Sequence, residues 1–176
     1  MSGMQPDILT FGRFLTPIGP ALTVTDETGT LRAFNWTDRE DRVRHWLGRH
    51  HNAVRLVEGE SPVAEVFARY FAGEPGAFEG VAWTTAGTAF QREVWTALTT
   101  IPVGQTWSYR ELAAAIGRPS AVRAVGLANG ANPLSVIVPC HRVIGANGAL
   151  TGYGGGLPRK AWLLAHERDC PSRLAA

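Results

Sequence analysis

The chain is poor in cysteine. Its 176 residues hold two, Cys140 and Cys170. Two cysteines cannot build the multi-bridge framework of a small secreted scaffold. A chain of this length buries roughly 70% of its unfolded surface and needs no such staple. The opening MSGMQPDILT lacks a basic stretch followed by an apolar one, which predicts no secretory signal. No apolar run approaches the roughly 20 residues of a membrane-spanning helix. Internal repeats and low-complexity tracts are missing, which argues against solenoids and disordered arrays. These absences predict a cytoplasmic protein with free thiols and no membrane partner.

Net charge is low, +2, but it is unevenly placed. Residues 87–176 carry +5, nearly all of the positive charge being arginine, and residues 1–86 carry −3. A basic C-terminal half suits a polyanion partner.

The first half reads as α+β. Residues 8–15, 20–26 and 30–36 have strand composition, broken by Pro17-Ile18-Gly19-Pro20 and Glu27-Thr28-Gly29. A helix is expected over 38–48, and a second after Ser61-Pro62, with Ser61 as N-cap and Val63, Val66, Phe67 and Tyr70 as its apolar stripe. Residues 72–87 are rich in Gly and Pro, which places a boundary there. The expected organisation is a domain over 1–86 with its linker, a second over 87–170, and a tail over 171–176.

The second half holds two capping boxes, Thr88 with Gln91 and Ser108 with Glu111, each starting a helix. The second of these helices runs to Gly117. Arg118-Pro119-Ser120 then turns the chain, and Ser120 is expected to cap a third helix ending at Gly130. Two helices joined by a tight turn have the form of a helix-turn-helix, whose second helix enters a DNA groove. Arg123 sits in the first turn of that second helix. Residues 134–139 (LSVIVP) read as a buried strand, residues 151–156 (TGYGGG) as a glycine-rich loop, and 158–169 as a last helix.

Chemistry concentrates at VIVPCHRVIG, residues 136–145. Only the thiolate of a cysteine is nucleophilic, and an ordinary thiol near pKa 8.5 is a few per cent ionised at neutral pH. His141 offers a base, and a carboxylate such as Glu167 would orient it. Tyr109, at a helix start, is a candidate proton donor. The glycine loop lets backbone approach a flat ligand closely.

Four stretches, GTAFQREVWTAL, IPVGQTWSYRELA, RAVGLANGANP and NPLSVIVPCHRVIGANGALTGYGGG, together resemble the O6-alkylguanine-DNA alkyltransferase family. The likeness runs from Gly87 to Glu167 and is much weaker before it. It implies an α+β protein: a small ribonuclease-H-like N-terminal domain followed by a mainly helical, winged helix-turn-helix-like C-terminal domain. It implies single-turnover transfer of an alkyl group from O6-alkylguanine in double-stranded DNA to the protein's own cysteine, after minor-groove binding and base flipping, with no metal or organic cofactor in the chemistry. O4-alkylthymine stays open as a second substrate. By position, Cys140 would accept the alkyl group. His141 would deprotonate it through a water, Glu167 would orient His141, and Asn132 would brace the turn. Tyr109 would protonate the departing guanine. Arg123 would fill the gap left by the flipped nucleotide, with Ser120, Ala124 and Gly126 beside it on the DNA face. Val143, Tyr153, Gly154, Gly155 and Ser135 would line the base pocket.

Some relatives carry serine where this chain has Gly154, whose backbone N–H would still serve; some carry proline where it has Ser135, which leaves tolerance of bulky adducts open. His45, His50 and His51 raise a zinc site, but no cysteine lies near, and a solvated histidine cluster is expected. Trp36, Trp46 and Trp83 are expected to pack in the core or at the boundary. Three rivals are a lesion binder without transfer, a cysteine hydrolase and a transcription factor. Cys140 itself argues against the first. Adjacent residues of an extended segment point to opposite faces, which argues against the second. No dimer signature supports the third.

Overall fold

A computed structural model describes residues 7–51 and 53–170; the expected tail over 171–176 lies outside them. The chain is a mixed α+β structure. Strands β1 (Asp7–Thr16), β2 (Gly19–Thr25) and β3 (Leu31–Trp36) form an antiparallel meander, and β4 (Val54–Glu58) adds to the other side of β1 in parallel, giving the order β3-β2-β1-β4. The first hairpin closes through Pro17-Ile18, with Thr16 opposite Gly19. At the second turn the Asp26 carboxylate accepts from the Thr28 and Thr30 amides, both at 3.0 Å, and Gly29 takes a φ of 79° that other residues resist. Sequence patterning misses β4. It is a mostly exposed edge strand of five residues, with only Val54 and Leu56 half-buried against the core under α1, so the period written into it is weak.

Helix α1 (Glu40–His50) covers one face of the sheet. Its Val43 and Leu47 pack with Leu9, Phe11, Leu22, Val24 and Ala33. Helix α2 (Ala64–Phe71) covers the other face, where Phe67 stacks on Phe34 at 4.2 Å between centroids. The expected Ser61 cap is not formed. The helix starts later, after Val63, with no side-chain cap, and the Ser61 hydroxyl instead accepts from Thr23 Oγ1 at 2.8 Å. A strand hydroxyl beside it competes successfully for the same group.

Helices α3 (Ala89–Leu98) and α4 (Tyr109–Ala115) begin at the two capping boxes, both fully formed. Helix α5 (Val122–Gly130) follows the Arg118–Ala121 turn. Its N-cap is Ala121, without a side-chain bond, and Ser120 is exposed. The expected Ser120 cap therefore fails by one residue. Two-residue strands β5 (Trp107–Ser108) and β6 (Val143–Ile144) pair in parallel, and α6 (Leu157–Asp169) closes the chain.

One apolar core crosses the expected boundary near residue 86. It joins Phe34, Trp36, Phe67 and Tyr70 of the first half to Val94, Trp95, Leu98 and Val138 of the second. Each fully buried side chain of this size contributes on the order of 2–3 kcal/mol. Backbone contacts join the halves as well, since Phe34 N–H donates to Pro133 O at 2.9 Å. Trp36 is fully buried, and Trp46 and Trp83 are half-buried against the two cores.

Candidate active site

Residues 134–139 are not a strand. They form a buried irregular loop: Ile137 N–H turns back to Ser135 O and Val138 N–H to Leu134 O, both at 2.9 Å. Val136 has φ 73°, rare for a β-branched residue and costly by about 1–2 kcal/mol. Asn132 holds this bend from within. Its Nδ2 donates to Val138 O at 2.8 Å, and its Oδ1 accepts from Leu134 N at 2.9 Å. An apolar run reads as a strand by composition, yet here its hydrogen bonds close on themselves and on Asn132.

The loop delivers Cys140, His141 and Arg142 as one buried 3-10 turn. Successive side chains there diverge by about 120° rather than 180°, so the expected extended geometry for Cys140 and His141 is corrected. Cys140 is 4% exposed, and both cysteines are free.

Beneath the turn, Glu167 of α6 gathers four hydrogen bonds. Its Oε1 accepts from His141 Nε2 at 2.8 Å, Tyr70 Oη at 2.7 Å and Arg142 Nη2 at 2.9 Å; its Oε2 accepts from Arg142 Nε at 2.8 Å. The arginine is bidentate, the strong form of the pair. Burial alone would raise the Glu167 pKa, but His141 and Arg142 outweigh it and hold the carboxyl well below the usual range. The carboxylate can only accept, so His141 carries its proton on Nε2 and its lone pair on Nδ1. Nδ1 is buried and has no hydrogen-bond partner among the described residues. Burial pushes the His141 pKa down against the pull of Glu167, so the ring is neutral at rest. Burial pushes the Cys140 thiol up, opposed by the Asn132 amide and the Lys160 and Arg42 charges.

Lys160 is fully buried. Its Nζ donates to Val143 O at 2.6 Å and Thr151 O at 2.7 Å, tying β6 to the glycine loop. Burial lowers its pKa to about 8. The loop lies against Trp36, whose ring meets Tyr153 edge-on at 6.2 Å. A Cβ on Gly155 would fall 2.4 Å from the Trp36 ring, so only glycine fits there. Val143 and Ser135 are buried, Tyr153 meets the His141 ring edge-on at 6.4 Å, and Gly154 borders Arg42. Tyr109 Oη donates to Thr151 O at 3.2 Å from the loop's rim, and Gly126 of α5 faces its ring. Arg123 and Ala124 stand exposed in the first turn of α5, with Ser120 exposed just before it.

The structure thus joins Cys140, His141, Glu167, Asn132 and Tyr153 in one buried cluster, with Tyr109 at its rim and the α5 face outside. Sequence reasoning missed Tyr70 and Lys160. Tyr70 sat in an apolar stripe that accounted for it, and Lys160 gave no signal. His45 and His50 are exposed, and His51 Nδ1 pairs with Asp7 at 3.0 Å. Among the described residues, no three His, Cys, Asp or Glu side chains group as metal ligands.

Known proteins resemble this chain along most of its length. Residues 89–169 match the model of the 6-O-methylguanine DNA methyltransferase DNA-binding domain. A methylated-DNA–protein-cysteine methyltransferase of Mycobacterium bovis is 62% identical over 159 residues, covering 88% of this chain and 89% of the relative. The protein of the same name from Salmonella typhimurium is 50% identical, covering 88% and 93%. The crystal structure of Mycobacterium tuberculosis OGT in complex with DNA superposes with TM-score 0.77 at 43% identity, covering 90% of this chain and 92% of that one. With a relative this similar along nearly its whole length, the chain belongs to the methylated-DNA–protein-cysteine methyltransferase family.

Proposed function

We propose that this chain repairs alkylated DNA by moving the alkyl group of O6-alkylguanine onto Cys140, once per molecule. The observation that carries this is the buried Cys140–His141–Glu167 arrangement, with His141 tied through Nε2 and its Nδ1 lone pair left to take a proton. His141 receives the thiol proton through a bridging water. The thiolate then attacks the alkyl carbon: the C–S bond forms as the C–O bond breaks, and the electron pair leaves on guanine. Tyr109 gives the departing base a proton. The thioether has no leaving group to reverse the step, so the protein is consumed. Apart from that water, the chain's own residues supply each group this chemistry uses.

The alkyl carbon is inaccessible inside a duplex, so the base must be extruded at a few kcal/mol. Arg123, exposed on the first turn of α5, enters from the minor groove and fills the gap, as inserted side chains do in other minor-groove complexes. Ser120, Ala124 and Gly126 form the contact face. Val143, Ser135, Tyr153, Gly154 and Gly155 hold the flipped base. In this reading residues 87–170 are a winged helix-turn-helix-like DNA-binding unit, residues 1–86 a ribonuclease-H-like unit, and the protein acts as a monomer in the reducing cytoplasm, where Cys140 stays a thiol.

Intact-protein mass spectrometry after mixing with a duplex carrying one O6-methylguanine tests the reading. One methyl per molecule, mapped to the peptide containing Cys140, is expected. An unmodified protein that still prefers the lesion would make it a damage sensor. An unmodified protein with no lesion preference would remove the reading altogether.

A further inference from the structure

We propose that Tyr70, on α2 in the first half of the chain, is a positioning residue for the Glu167–His141 pair and sets the basicity of the imidazole that takes the Cys140 proton. This rests on the reading of Cys140 as alkyl acceptor.

Tyr70 is 1% exposed and fixed at both ends. Its hydroxyl donates to Glu167 Oε1 at 2.7 Å, and its carbonyl accepts from His166 Nε2 at 2.8 Å. Its ring packs among Phe71, Phe78 and His166. The oxygen it binds is the one that holds His141. Oε1 therefore serves three donors, Tyr70, His141 and Arg142 Nη2, although a carboxylate oxygen has about two lone-pair sites. Donors sharing one oxygen weaken one another. Each also drains negative charge from the carboxylate and lessens its pull on an imidazolium.

The sign follows. Without the Tyr70 hydroxyl, Glu167 holds His141 more strongly and favours its protonated form, so the His141 pKa rises. Protonation of His141 ahead of reaction removes the base, so transfer is lost at a higher pH than in the parent protein. The other groups facing the pair are Arg142 and Cys140 from the 3-10 turn, Lys160 from α6, Tyr153 from the glycine loop and Cys170 beyond α6. A Tyr70→Phe substitution changes none of them. Tyr70 itself does not titrate in the working range, since burial and the neighbouring Glu167 push its pKa well above 10.

The test is Tyr70→Phe, which keeps the ring in the core and leaves Glu167 three donors, so the fold survives. Methyl transfer from an O6-methylguanine duplex is followed at single turnover across pH 4.5–9, and the His141 ring nitrogens are titrated by 15N NMR in unalkylated protein. The acid limb of the rate profile and the His141 titration are expected to move up together by about half a unit to one unit, roughly half of the 1–2 units that a hydrogen bond made directly to a charged group is worth, since Tyr70 acts on His141 through Glu167. Below the limb the variant then reacts roughly 3–10-fold slower, and on the plateau the two rates agree within about twofold. A uniform slowing at every pH with an unmoved midpoint would reduce Tyr70 to packing and overturn the proposal. If the parent protein transfers no methyl group, the reading of Cys140 has failed; the NMR titration then decides separately whether Tyr70 tunes His141, and identical midpoints in the two proteins overturn it.

Discussion

Replacing Glu167 by glutamine removes one charge from the most densely bonded side chain in the site. The carboxylate accepts four hydrogen bonds and is 1% exposed, and the Arg142 side chain that balances it is 10% exposed. The amide can present only one oxygen. Its NH2 group then faces a donor from Arg142, Tyr70 or His141, and the guanidinium keeps its charge with no counterion. Breaking a buried ion pair from one side costs about 3–5 kcal/mol. That is a large part of the 5–15 kcal/mol typical of a folded domain, and for a chain of 176 residues it lowers Tm by about 10 °C. The pH dependence sharpens the prediction. The Glu167 pKa is depressed by folding, so its contribution is complete above the unfolded value near 4.3 and fades as pH falls toward the folded value. The gap between parent and Glu167→Gln should be widest near pH 7 and should narrow below pH 4.3. Thermal unfolding followed by circular dichroism from pH 3 to pH 8 measures it. A shift under about 2 °C at pH 7, or a gap that does not depend on pH, would refute the claim that the charge of Glu167 holds this turn in place.

Three further outcomes follow from the same geometry. Lys160→Met takes the buried ammonium donor from Val143 O and leaves Thr151 O with the Tyr109 hydroxyl alone, at about 1–3 kcal/mol for the buried carbonyl, so chemical denaturation should show a loss of roughly 1–3 kcal/mol and transfer should slow as the glycine loop loosens. Arg123→Ala should slow repair of duplex DNA by tenfold or more (about 1.4 kcal/mol or above) while changing reaction with free O6-methylguanine little; equal losses in both assays would remove Arg123 from the base stack. Tyr109→Phe should slow transfer by roughly 10–100-fold, the scale of a lost general acid, with DNA affinity by fluorescence anisotropy unchanged; an unaltered rate would strike Tyr109 out as proton donor.

What the sequence made legible was local. The two capping boxes formed as read, because each needs only residues three apart. The meander of β1, β2 and β3 was legible from alternation and turn residues. Residues 134–139 misled because an apolar run has one composition whether it bonds to a neighbouring strand or folds back on Asn132, and a φ of 73° at Val136 leaves no trace in residue type. Ser61 and Ser120 misled because a cap depends on where the first helical turn falls, which tertiary contacts move by a residue or two. The Cys140–His141–Glu167 cluster was legible through the family's motif, since spacing alone does not bring residues 26 apart to 2.8 Å. Tyr70 escaped because an aromatic on an apolar helix stripe is fully explained by packing, and only the fold shows its hydroxyl reaching a residue 97 positions away.

That reach bears on how the halves depend on each other. Glu167 is supplied by the last helix, His141 and Arg142 by the turn before it, and Tyr70 by a helix of the first half. Trp36, also of the first half, forms the wall against which Gly155 must be glycine. Arg159 of α6 lies over the same indole at 4.8 Å and reaches back to Ile18 O at 2.9 Å and to the Asp38 carboxylate. The carboxylate beneath the Cys140–Arg142 turn and the loop beside it are therefore both shaped by residues before position 86. Removing those residues would strip Tyr70 from Glu167, expose the face of the core holding Val94, Trp95 and Leu98, and leave the glycine loop without its wall. The proposed acceptor Cys140 and its His141–Glu167 pair lie in the second half, but the first half supplies a hydrogen bond and packing that help fix their geometry.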